Sequence, residues 1–375
     1  MNIVSFYLDF NQNKRGEFIM AEKIKLGIVG LGRIGWGMAV GELNLYEDKY
    51  EVVAVCDLIE DRRNKAKDKF GCVAYEDYAE MLKQDDIEMV YIATRSCDHY
   101  AHAMMAHAAG KHVLLEKPAT ISYEQALDLF SHFNKEGTPR LFIHQQRRWE
   151  GAFLKVREVI DSGILGDVYE VNIEENGYQN RDDWQTLSEF GGGQLLNWGP
   201  HIIDHSLQLL DTPTADIQSY LHCIAAGGDC EDHLRIRFIG DNNRVVNMSI
   251  SGAKALNKGR TYVVYGHRGA MTCTHSKYKL CYINPEQEWK TVVSSPETPG
   301  AAFGASGTYE SAFKPDWIEE EGDTPETILH LFWPEMYESL REGKPFRVTD
   351  NDVLSIMRTI STVKAQNKKI MRMNH

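Results

Sequence analysis

The sequence predicts an α/β protein in which a doubly wound parallel sheet comes first and a second sheet-containing region follows. A glycine-rich loop joins a predicted strand to a predicted helix within residues 25–45. Strand and helix patterns then alternate as far as residue 144, which is typical of parallel βαβ units. From Arg148 onward the alternation stops, and residues 217–293 contain repeated β-type runs instead.

The first predicted strand, residues 25–29, runs into Gly-Leu-Gly-Arg-Ile-Gly at residues 30–35 and then into a helix pattern. A G-x-G-x-x-G motif in this context is typical of dinucleotide binding. Its glycines allow a tight turn, close approach of the backbone to a pyrophosphate, and close packing of helix on strand. The helix N-terminus supplies amide donors for the phosphates. The candidate cofactor-binding residues are therefore Gly30, Gly32, Arg33, Ile34 and Gly35.

Asp57 follows the second predicted strand, residues 51–56, and lies 22 residues after Gly35. That offset is close to the one at which a carboxylate binds the adenosine ribose hydroxyls. Because a 2′-phosphate would meet like charge at Asp57, the sequence favours NAD over NADP. Arg62 and Arg63 lie nearby and either could turn toward a phosphate, so NADP stays as the alternative.

The alternation continues with a polar turn at residues 94–99 between a strand and a helix. This turn should lie beside the nicotinamide half of the cofactor, which makes Thr94 and His99 candidate cofactor-binding residues. Ser122 and Gln125 have capping-box spacing at the start of a helix. The remaining predicted elements are helices at 77–83 and 100–109 and strands at 88–93, 112–115 and 141–144.

The strand at 112–115 is followed at once by Glu116, Lys117 and Pro118. In open α/β sheets, ligands gather outside the carboxyl ends of the strands. A lysine held there by a rigid proline turn is well placed to meet a substrate. A surface lysine at a strand end is the alternative. We expect Lys117 to be catalytic, and Glu116 and Lys117 to border the cofactor.

The second half contains a loop with Trp184, which either stacks on a sugar or is buried for structural reasons. A triple glycine at 191–193 then leads into a predicted helix that carries Asn197, His201, Asp204 and His205 on one element. His201 and His205 have metal-ligand spacing, but no third ligand is evident and no metal is predicted. The other predicted elements are a helix at 152–160, strands at 168–174, 234–238, 245–250, 262–265 and 277–282, a long loop at 294–327 that forms a lid or a subunit contact, and helices at 326–342 and 350–366.

Composition limits the class of protein. The net charge of −13 argues against a nucleic-acid binder, which would need a basic face. No apolar run reaches transmembrane length, so no membrane partner is expected. The seven cysteines include no Cys-x-x-Cys pair, which suits a reducing cytoplasm. We expect residues 1–20 to be a disordered leader or an over-long start, residues 21–146 to form the dinucleotide-binding domain, and residues 147–375 to form the substrate-binding and oligomerisation domain.

At these motifs the chain resembles the glucose–fructose oxidoreductase and inositol dehydrogenase (Gfo/Idh/MocA) family of NAD(P)-dependent oxidoreductases. The matching segments are residues 30–35, Tyr-Ile-Ala-Thr at 91–94, Ala-Gly-Lys-His-Val-Leu-Leu-Glu-Lys-Pro at 109–118, Gln-Arg-Arg-Trp at 146–149, Gly-Gly-Gly-Gln-Leu-Leu-Asn-Trp-Gly-Pro-His-Ile-Ile-Asp at 191–204, and Leu-Arg-Glu-Gly-Lys-Pro at 340–345. The family often has Asp four residues before the His of the fifth segment, where this chain has Asn197.

The resemblance implies a Rossmann domain followed by an α/β domain with a large, mostly antiparallel, open sheet that packs against another subunit. It implies hydride transfer between NAD and a sugar, a sugar derivative or a cyclitol, with Lys117 and His201 as catalytic residues. Candidate substrate-binding residues are Arg148, Trp184, Asn197 and Asp204. A small carbohydrate-like substrate and a homodimer or homotetramer are expected, the latter because an uncovered sheet face would expose apolar area.

Two other functions fit the same motifs. One is an NAD-dependent glycosidase in which oxidation of the sugar is transient and the net reaction is hydrolysis. The other is a non-catalytic, dinucleotide-sensing regulator, against which the presence of Lys117 and His201 argues.

Overall fold

The structure, a computed structural model, describes residues 22–256, 258–291, 293–294, 296 and 313–373. The predicted leader at 1–20 and half of the predicted loop at 294–327 lie outside the described residues, so the lid or subunit contact expected there stays a prediction.

Six parallel strands form the first sheet in the order β3-β2-β1-β4-β5-β6. This is the doubly wound order that the alternating pattern predicts. Successive strands are added on one side of β1 as far as β3, and on its other side from β4 onward, so the topological switch point lies between β1 and β4. The strands are β1 (Ile24–Val29), β2 (Tyr50–Cys56), β3 (Val73–Tyr75), β4 (Met89–Ile92), β5 (His112–Leu115) and β6 (Leu141–Ile143), and the helices are α1 (Arg33–Gly41), α2 (Glu60–Phe70), α3 (Tyr78–Leu82), α4 (His99–Ala108) and α5 (Tyr123–His132).

The central strands of this sheet are mostly apolar because both of their faces are covered. Val113, Leu114 and Leu115 of β5 are fully buried. The Ser122 hydroxyl accepts a hydrogen bond from the Gln125 amide, so α5 begins where the sequence predicts. The buried strands thus fix the positions of the loops at their carboxyl ends, where the candidate residues lie.

The second sheet has nine strands in the order β14-β13-β12-β11-β7-β10-β9-β8-β15 and is mostly antiparallel, as expected. The two parallel contacts join β10 to β7 and β15 to β8. The elements are α6 (Gly151–Asp161), β7 (Val168–Asn176), α7 (Gln194–Asn197), α8 (Gly199–Leu210), β8 (Thr214–Cys223), β9 (His233–Gly240), β10 (Val245–Ser251), β11 (Gly259–Gly266), β12 (Gly269–Thr274), β13 (Lys277–Ile283), β14 (Trp317–Asp323), α9 (Phe332–Glu342), α10 (Asp350–Gln366) and β15 (Met371–Arg372).

Two predicted elements are wrong in detail. The helix expected to carry both Asn197 and His201 is divided into α7 and α8, because Pro200 has no N–H to donate to the Leu196 carbonyl. The predicted loop at 294–327 contains the edge strand β14. Its acidic residues disfavour a strand in isolation, but Glu321 and Asp323 pair with Lys279 and Lys277 of β13.

The helix α9 packs against the first sheet, although it follows the second sheet in the chain. The Tyr50 hydroxyl donates to the Trp333 carbonyl over 2.7 Å, and the two rings are 5.3 Å apart. Arg341 forms an ion pair with Glu88 at the start of β4. The predicted domain boundary at residue 146 therefore stays a prediction, and the N-terminal sheet is completed by residues from the far end of the chain.

The outer face of the second sheet is more polar than predicted. Exposed Arg235 and Arg237 of β9 lie across from Glu174 and Asn172 of β7, with β10 between them. The inner face carries the apolar side chains of β7 and β10 and is covered by α8. No helix among the described residues is long and apolar enough to cross a membrane.

Candidate active site

The crevice at the carboxyl ends of β1 and β4 has the shape that a dinucleotide needs. Gly30 has φ +88°, and a Cβ atom there would lie 2.5 Å from the Ala93 carbonyl oxygen. A Cβ atom on Gly35 would overlap the Gly30 carbonyl. At Gly32, by contrast, the nearest atom to an added Cβ is an Arg62 nitrogen at 4.0 Å, so the backbone is open to a ligand. These three glycines therefore fit the turn, packing and pyrophosphate roles, and Arg33 and Ile34 begin α1 between them.

Asp57 lies at the edge of this crevice with its carboxylate held in place. Its Oδ2 accepts the Leu31 amide at 2.7 Å and its Oδ1 accepts the Ile59 amide at 2.9 Å. A carboxylate has further lone pairs, so it can still accept ribose hydroxyls. Arg63 donates to the carbonyls of Asp57 and Leu58, whereas Arg62 is half-exposed and 3.5 Å from Oδ2. Of the two arginines, Arg62 is the one free to meet a 2′-phosphate.

Lys117 follows β5 and reaches across the crevice toward α7. Its Nζ donates to the Asn197 carbonyl at 3.0 Å and lies 3.5 Å from the Asn197 side-chain oxygen. Burial lowers the pKa of the Lys117 ammonium; the Glu116 charge opposes this shift, and Arg147 adds to it. Asn197 is the last residue of the short helix α7, and it contacts Lys117 through both its carbonyl and its side-chain oxygen. The sequence pattern, which predicts one continuous helix here, does not indicate this contact.

Glu116 is buried behind this lysine, and its predicted contact with the cofactor stays a prediction. Its Oε1 accepts the Tyr91 hydroxyl at 2.7 Å and His144 Nδ1 at 2.6 Å, and its Oε2 accepts the Lys117 amide at 3.3 Å. Burial alone would raise the pKa of Glu116, but the His144 ring holds it below its ordinary value. The carboxylate therefore stays charged and fixes the turn that carries Lys117.

His201 lies in the first turn of α8 and is only 4% exposed. Burial holds the pKa of its imidazole well below the ordinary value, and the charges of Lys117 and Arg147 act in the same direction. Its Nδ1 atom is buried and has no hydrogen-bond partner among the described residues. The ring is therefore neutral and able to take up a proton near Lys117.

Arg148 and Asp204, both expected to bind substrate, are bound to each other instead. Arg148 Nη2 lies 2.6 Å from Asp204 Oδ1, and its Nε donates to Oδ2 at 2.8 Å. The same guanidinium donates to the Arg347 carbonyl at 2.7 Å and reaches Asp352 of α10 at 3.1 Å. These contacts occupy the polar atoms of the pair, which therefore joins α8 to α10, and the predicted contacts of Arg148 and Asp204 with substrate stay predictions.

Arg147 is the residue of the same motif that lies toward the site, and the sequence pattern did not indicate it. Its guanidinium is 5.0 Å from the centre of the Trp198 ring and 3.5 Å from Glu150. Its charge lowers the pKa values of both Lys117 and His201. The motif forms a 3-10 helix, Gln146–Trp149, in which neighbours point in different directions, so only the structure distinguishes the two arginines.

His99 is buried between two turns at this end of the sheet, and its predicted contact with the cofactor stays a prediction. Its Nδ1 is 2.7 Å from the Pro118 carbonyl oxygen and its Nε2 is 3.3 Å from the Thr94 carbonyl oxygen. The ring therefore joins the turn after β4 to the turn that carries Lys117. The Thr94 hydroxyl contacts His102 Nδ1 at 3.1 Å, at the same end of the sheet.

Trp184 and His205 complete the predicted set. Trp184 is half-buried at the start of the 3-10 helix Trp184–Thr186, beside the glycine run. His205 stacks on Phe153, with ring centres 4.0 Å apart, and bonds the Tyr262 hydroxyl and the Arg147 carbonyl. Within the part of the chain that the structure describes, no group of three His, Cys, Asp or Glu residues is arranged to hold a metal.

Comparison with known families gives two adjacent matches. Residues 24–143 match the family model described as "Oxidoreductase family, NAD-binding Rossmann fold". Residues 153–272 match the "GFO/IDH/MocA C-terminal domain".

Relatives of similar length are known. An uncharacterized oxidoreductase of Schizosaccharomyces pombe is 29% identical over 76% of this chain and 78% of its own length. The scyllo-inositol 2-dehydrogenase (NADP(+)) IolW of Bacillus subtilis is 25% identical over 93% of this chain and 95% of its own.

Solved structures share the fold. An NAD-binding protein from Listeria innocua superposes with a TM-score of 0.76 at 23% identity, over 92% of this chain and 98% of that one. The WlbA dehydrogenase from Bordetella pertussis, solved with NADH and UDP-GlcNAcA, has a TM-score of 0.72 at 19% identity, over 92% and 97%.

Proposed function

Because the chain belongs to the GFO/IDH/MocA family of oxidoreductases, we propose that it transfers a hydride between NAD and a secondary alcohol or ketone of a sugar, a sugar derivative or a cyclitol. The observation that carries the proposal is the contact of Lys117 with Asn197 across the crevice, next to a neutral His201. The inositol dehydrogenase activity of relatives such as IolW supports the substrate class.

The N-terminal crevice holds the cofactor in this proposal. Backbone at Gly32 and the first amides of α1 bind the pyrophosphate, and the Asp57 carboxylate accepts the adenosine ribose hydroxyls. When bound, NAD supplies the hydride acceptor. NAD is the proposed cofactor because Asp57 repels a 2′-phosphate, and half-exposed Arg62 leaves NADP as the alternative.

Lys117 and His201 have different roles toward the substrate. As an alcohol is oxidised, the hydrogen on its carbinol carbon leaves with both electrons of the C–H bond, as a hydride, and its hydroxyl group loses a proton. The neutral His201 imidazole accepts that proton. The Lys117 ammonium hydrogen-bonds the reacting oxygen and stabilises the negative charge that develops on it. Reduction of a ketone runs through the same contacts in reverse.

Asn197 and Trp184 are proposed to complete the substrate site. The Asn197 carbonyl and side-chain oxygen hold Lys117 in place, and its amide remains available to a substrate hydroxyl. Trp184 offers an aromatic face to the apolar side of a sugar ring.

The test is a screen of sugars, cyclitols and aryl glycosides with the full chain and NAD, in which NADH formation and aglycone release are followed together. We expect NADH to form with a neutral sugar or cyclitol and to be lost in Lys117→Met. Release of the aglycone without net formation of NADH would favour the alternative function, an NAD-dependent glycosidase. If no compound yields either product, the proposed function is wrong.

A further inference from the structure

The short helix α7 carries the oxygen that holds Lys117 in place. It is a single turn, Gln194–Asn197, and the Asn197 carbonyl at its end accepts the Lys117 ammonium at 3.0 Å. Within the turn, the Asn197 amide donates to the Gly193 carbonyl at 2.9 Å. One turn has too few internal hydrogen bonds to be stable by itself. The position of the Asn197 carbonyl therefore depends on groups outside α7.

Glu231, on the segment that leads into β9, holds the beginning of α7 with two hydrogen bonds. Its Oε1 accepts the Leu195 amide at 2.7 Å, and its carbonyl oxygen accepts the Gln194 amide at 3.0 Å. These amides are among those that a helix leaves without an internal partner at its start. Because Glu231 is only 7% exposed, water does not replace it easily as the acceptor. The carboxyl group thus fixes the end of α7 that is opposite the Lys117 contact.

The last glycine of the triple run makes this arrangement possible. Gly193 has φ +96°, and a Cβ atom there would lie 2.8 Å from the carboxyl carbon of Glu231. The Gly193 amide donates to the Gln185 carbonyl at 2.8 Å, which fixes the backbone just before α7. A residue with a side chain at this position would displace the carboxyl group from the helix start.

The support that Glu231 gives does not depend on its charge. Burial raises the pKa of Glu231 to about 7, while the Leu195 amide and the charge of Lys364 act to lower it. Lys364 belongs to α10, and its Nζ donates to the Ile121 carbonyl at 3.0 Å. Further charged or titratable groups near Glu231 are Asp232, Cys223, Cys230 and Arg181. A protonated carboxyl group keeps a carbonyl oxygen that accepts the Leu195 amide, so α7 is supported on both sides of pH 7.

We propose that Glu231 is a positioning residue for hydride transfer, which holds α7 so that the Asn197 carbonyl meets the Lys117 ammonium. This inference rests on the proposed function, because Glu231 affects the reaction only through Lys117. A displacement of about 1 Å in a catalytic group can cost about a hundredfold in rate. A loss of support at the start of α7 is therefore expected to lower kcat.

The experiment is a double-mutant cycle on the full chain, with NAD and the substrate that the screen identifies. Glu231→Met fills the same space without an acceptor for the Leu195 amide. We expect it to lower kcat about tenfold or more in the wild type, but less than about threefold in Lys117→Met, where no ammonium remains to be placed. A general loss of structure would lower kcat by the same factor in both backgrounds. The KM for NAD should stay unchanged, because the dinucleotide contacts lie on other strands.

Two variants serve as controls. Glu231→Gln keeps an oxygen for the Leu195 amide and should have a kcat within about threefold of the wild type. Asp229→Ala removes a carboxylate of the same loop, which accepts the Ser188 amide at 2.8 Å and does not reach α7. Any change in kcat that it causes should be the same with and without Lys117. If Glu231→Met does not fold, as judged by urea denaturation, Glu231→Ala takes its place.

Hydrogen exchange of the amides of residues 194–198 gives a readout that needs no substrate. We expect exchange to be about tenfold or more faster in Glu231→Met than in the wild type, and near the wild-type rate in Glu231→Gln. Unchanged exchange in Glu231→Met would overturn the inference, and so would equal losses of kcat in the two backgrounds or a kcat in Glu231→Gln as low as in Glu231→Met. NADH formation in those cases leaves the proposed function standing. If no compound is oxidised, the proposed function is overturned, and the exchange rates alone decide whether Glu231 holds α7.

Discussion

At the scale of single residues, the site depends on one charged atom held by backbone. Lys117 Nζ donates to a main-chain carbonyl, so its position does not depend on another flexible side chain. We expect Lys117→Met to lose about a hundredfold or more in kcat, because a preorganised donor to the developing oxyanion is removed.

Binding of NAD, followed by calorimetry, should persist in Lys117→Met because the dinucleotide contacts lie on other strands. Lys111→Met is the matched control, since that ammonium bonds the carbonyls of Gln84 and Asp85 far from the site. Near-normal turnover in Lys117→Met would reduce this lysine to a structural residue.

We expect Asp57 to decide whether the protein prefers NAD or NADP. We expect wild-type kcat/KM to be higher with NAD than with NADP, and Asp57→Ala to narrow that gap by about tenfold or more. Because the carboxylate also accepts two loop amides, Asp57→Asn separates the loss of charge from the loss of support. A wild-type preference for NADP, abolished in Arg62→Ala, would show that the arginine dominates.

The pH dependence of alcohol oxidation reports the His201 imidazole. Since its pKa is held well below 6.5, kcat/KM should stay constant down to pH 6.5 and fall only under more acidic conditions. Asn197→Asp places a carboxylate beside Lys117 and offsets the charge that depresses the His201 pKa. The acidic limb should then move to higher pH.

His201→Ala should abolish turnover. Asn172→Asp is the control for Asn197→Asp, because it makes the same substitution on the outer face of the second sheet, and it should leave the pH profile of kcat/KM unchanged. If kcat/KM falls at the same acidic pH in Asn197→Asp and in the wild type, the added carboxylate does not change the pKa of His201.

The residues that sequence reasoning identified are those whose neighbours along the chain define their role. Gly30, Gly35 and Asp57 belong to a local strand–turn–helix unit, so the motif alone indicates their geometry. Arg147 could not be identified in this way, because its position depends on Trp198, which is distant in the chain.

At the scale of elements, the same distinction separates the two sheets. The buried strands β1, β4 and β5 are mostly apolar and are bounded by polar turns, and they were predicted to within two residues. β14 was missed because its stability comes from lysines on β13. α9 was predicted to begin at residue 326 but begins at Phe332, because Pro334 is tolerated only in the first turn of a helix.

The packing of α9 can be tested by substitution. Trp333 is fully buried and contacts Tyr50 and Tyr91, with ring centres 5.3 and 6.0 Å away. We expect Trp333→Ala to cost about 3–5 kcal/mol of unfolding free energy, measured by urea denaturation, because the cavity cannot collapse.

Trp317→Ala removes the same side chain where it is 51% exposed and should cost about 0.5 kcal/mol or less. Equal effects at the two positions would show that α9 does not stabilise the first sheet.

At the scale of the whole molecule, we expect the open face of the second sheet to be the surface for self-association. Its mixture of exposed arginines on β9 and glutamates on β7 favours a polar interface, whereas the sequence predicted an apolar one. We expect a homodimer or homotetramer by light scattering, dissociating with added salt and in Arg235→Glu/Arg237→Glu, because surface ion pairs are screened. A monomer at micromolar concentration and low salt would contradict this expectation.

The position of α9 also has a consequence for how the protein is made. His144, which bonds the carboxylate behind Lys117, packs against Phe332 with ring centres 4.6 Å apart. During synthesis the N-terminal sheet emerges from the ribosome long before residues 332–342, so its aromatic cluster stays uncovered until translation is nearly complete. A gene fragment that ends at residue 146 would encode every strand of that sheet and still lack its cover. We therefore expect the nucleotide-binding half to need residues 332–342 for its stability, and a fragment that ends at residue 146 to aggregate.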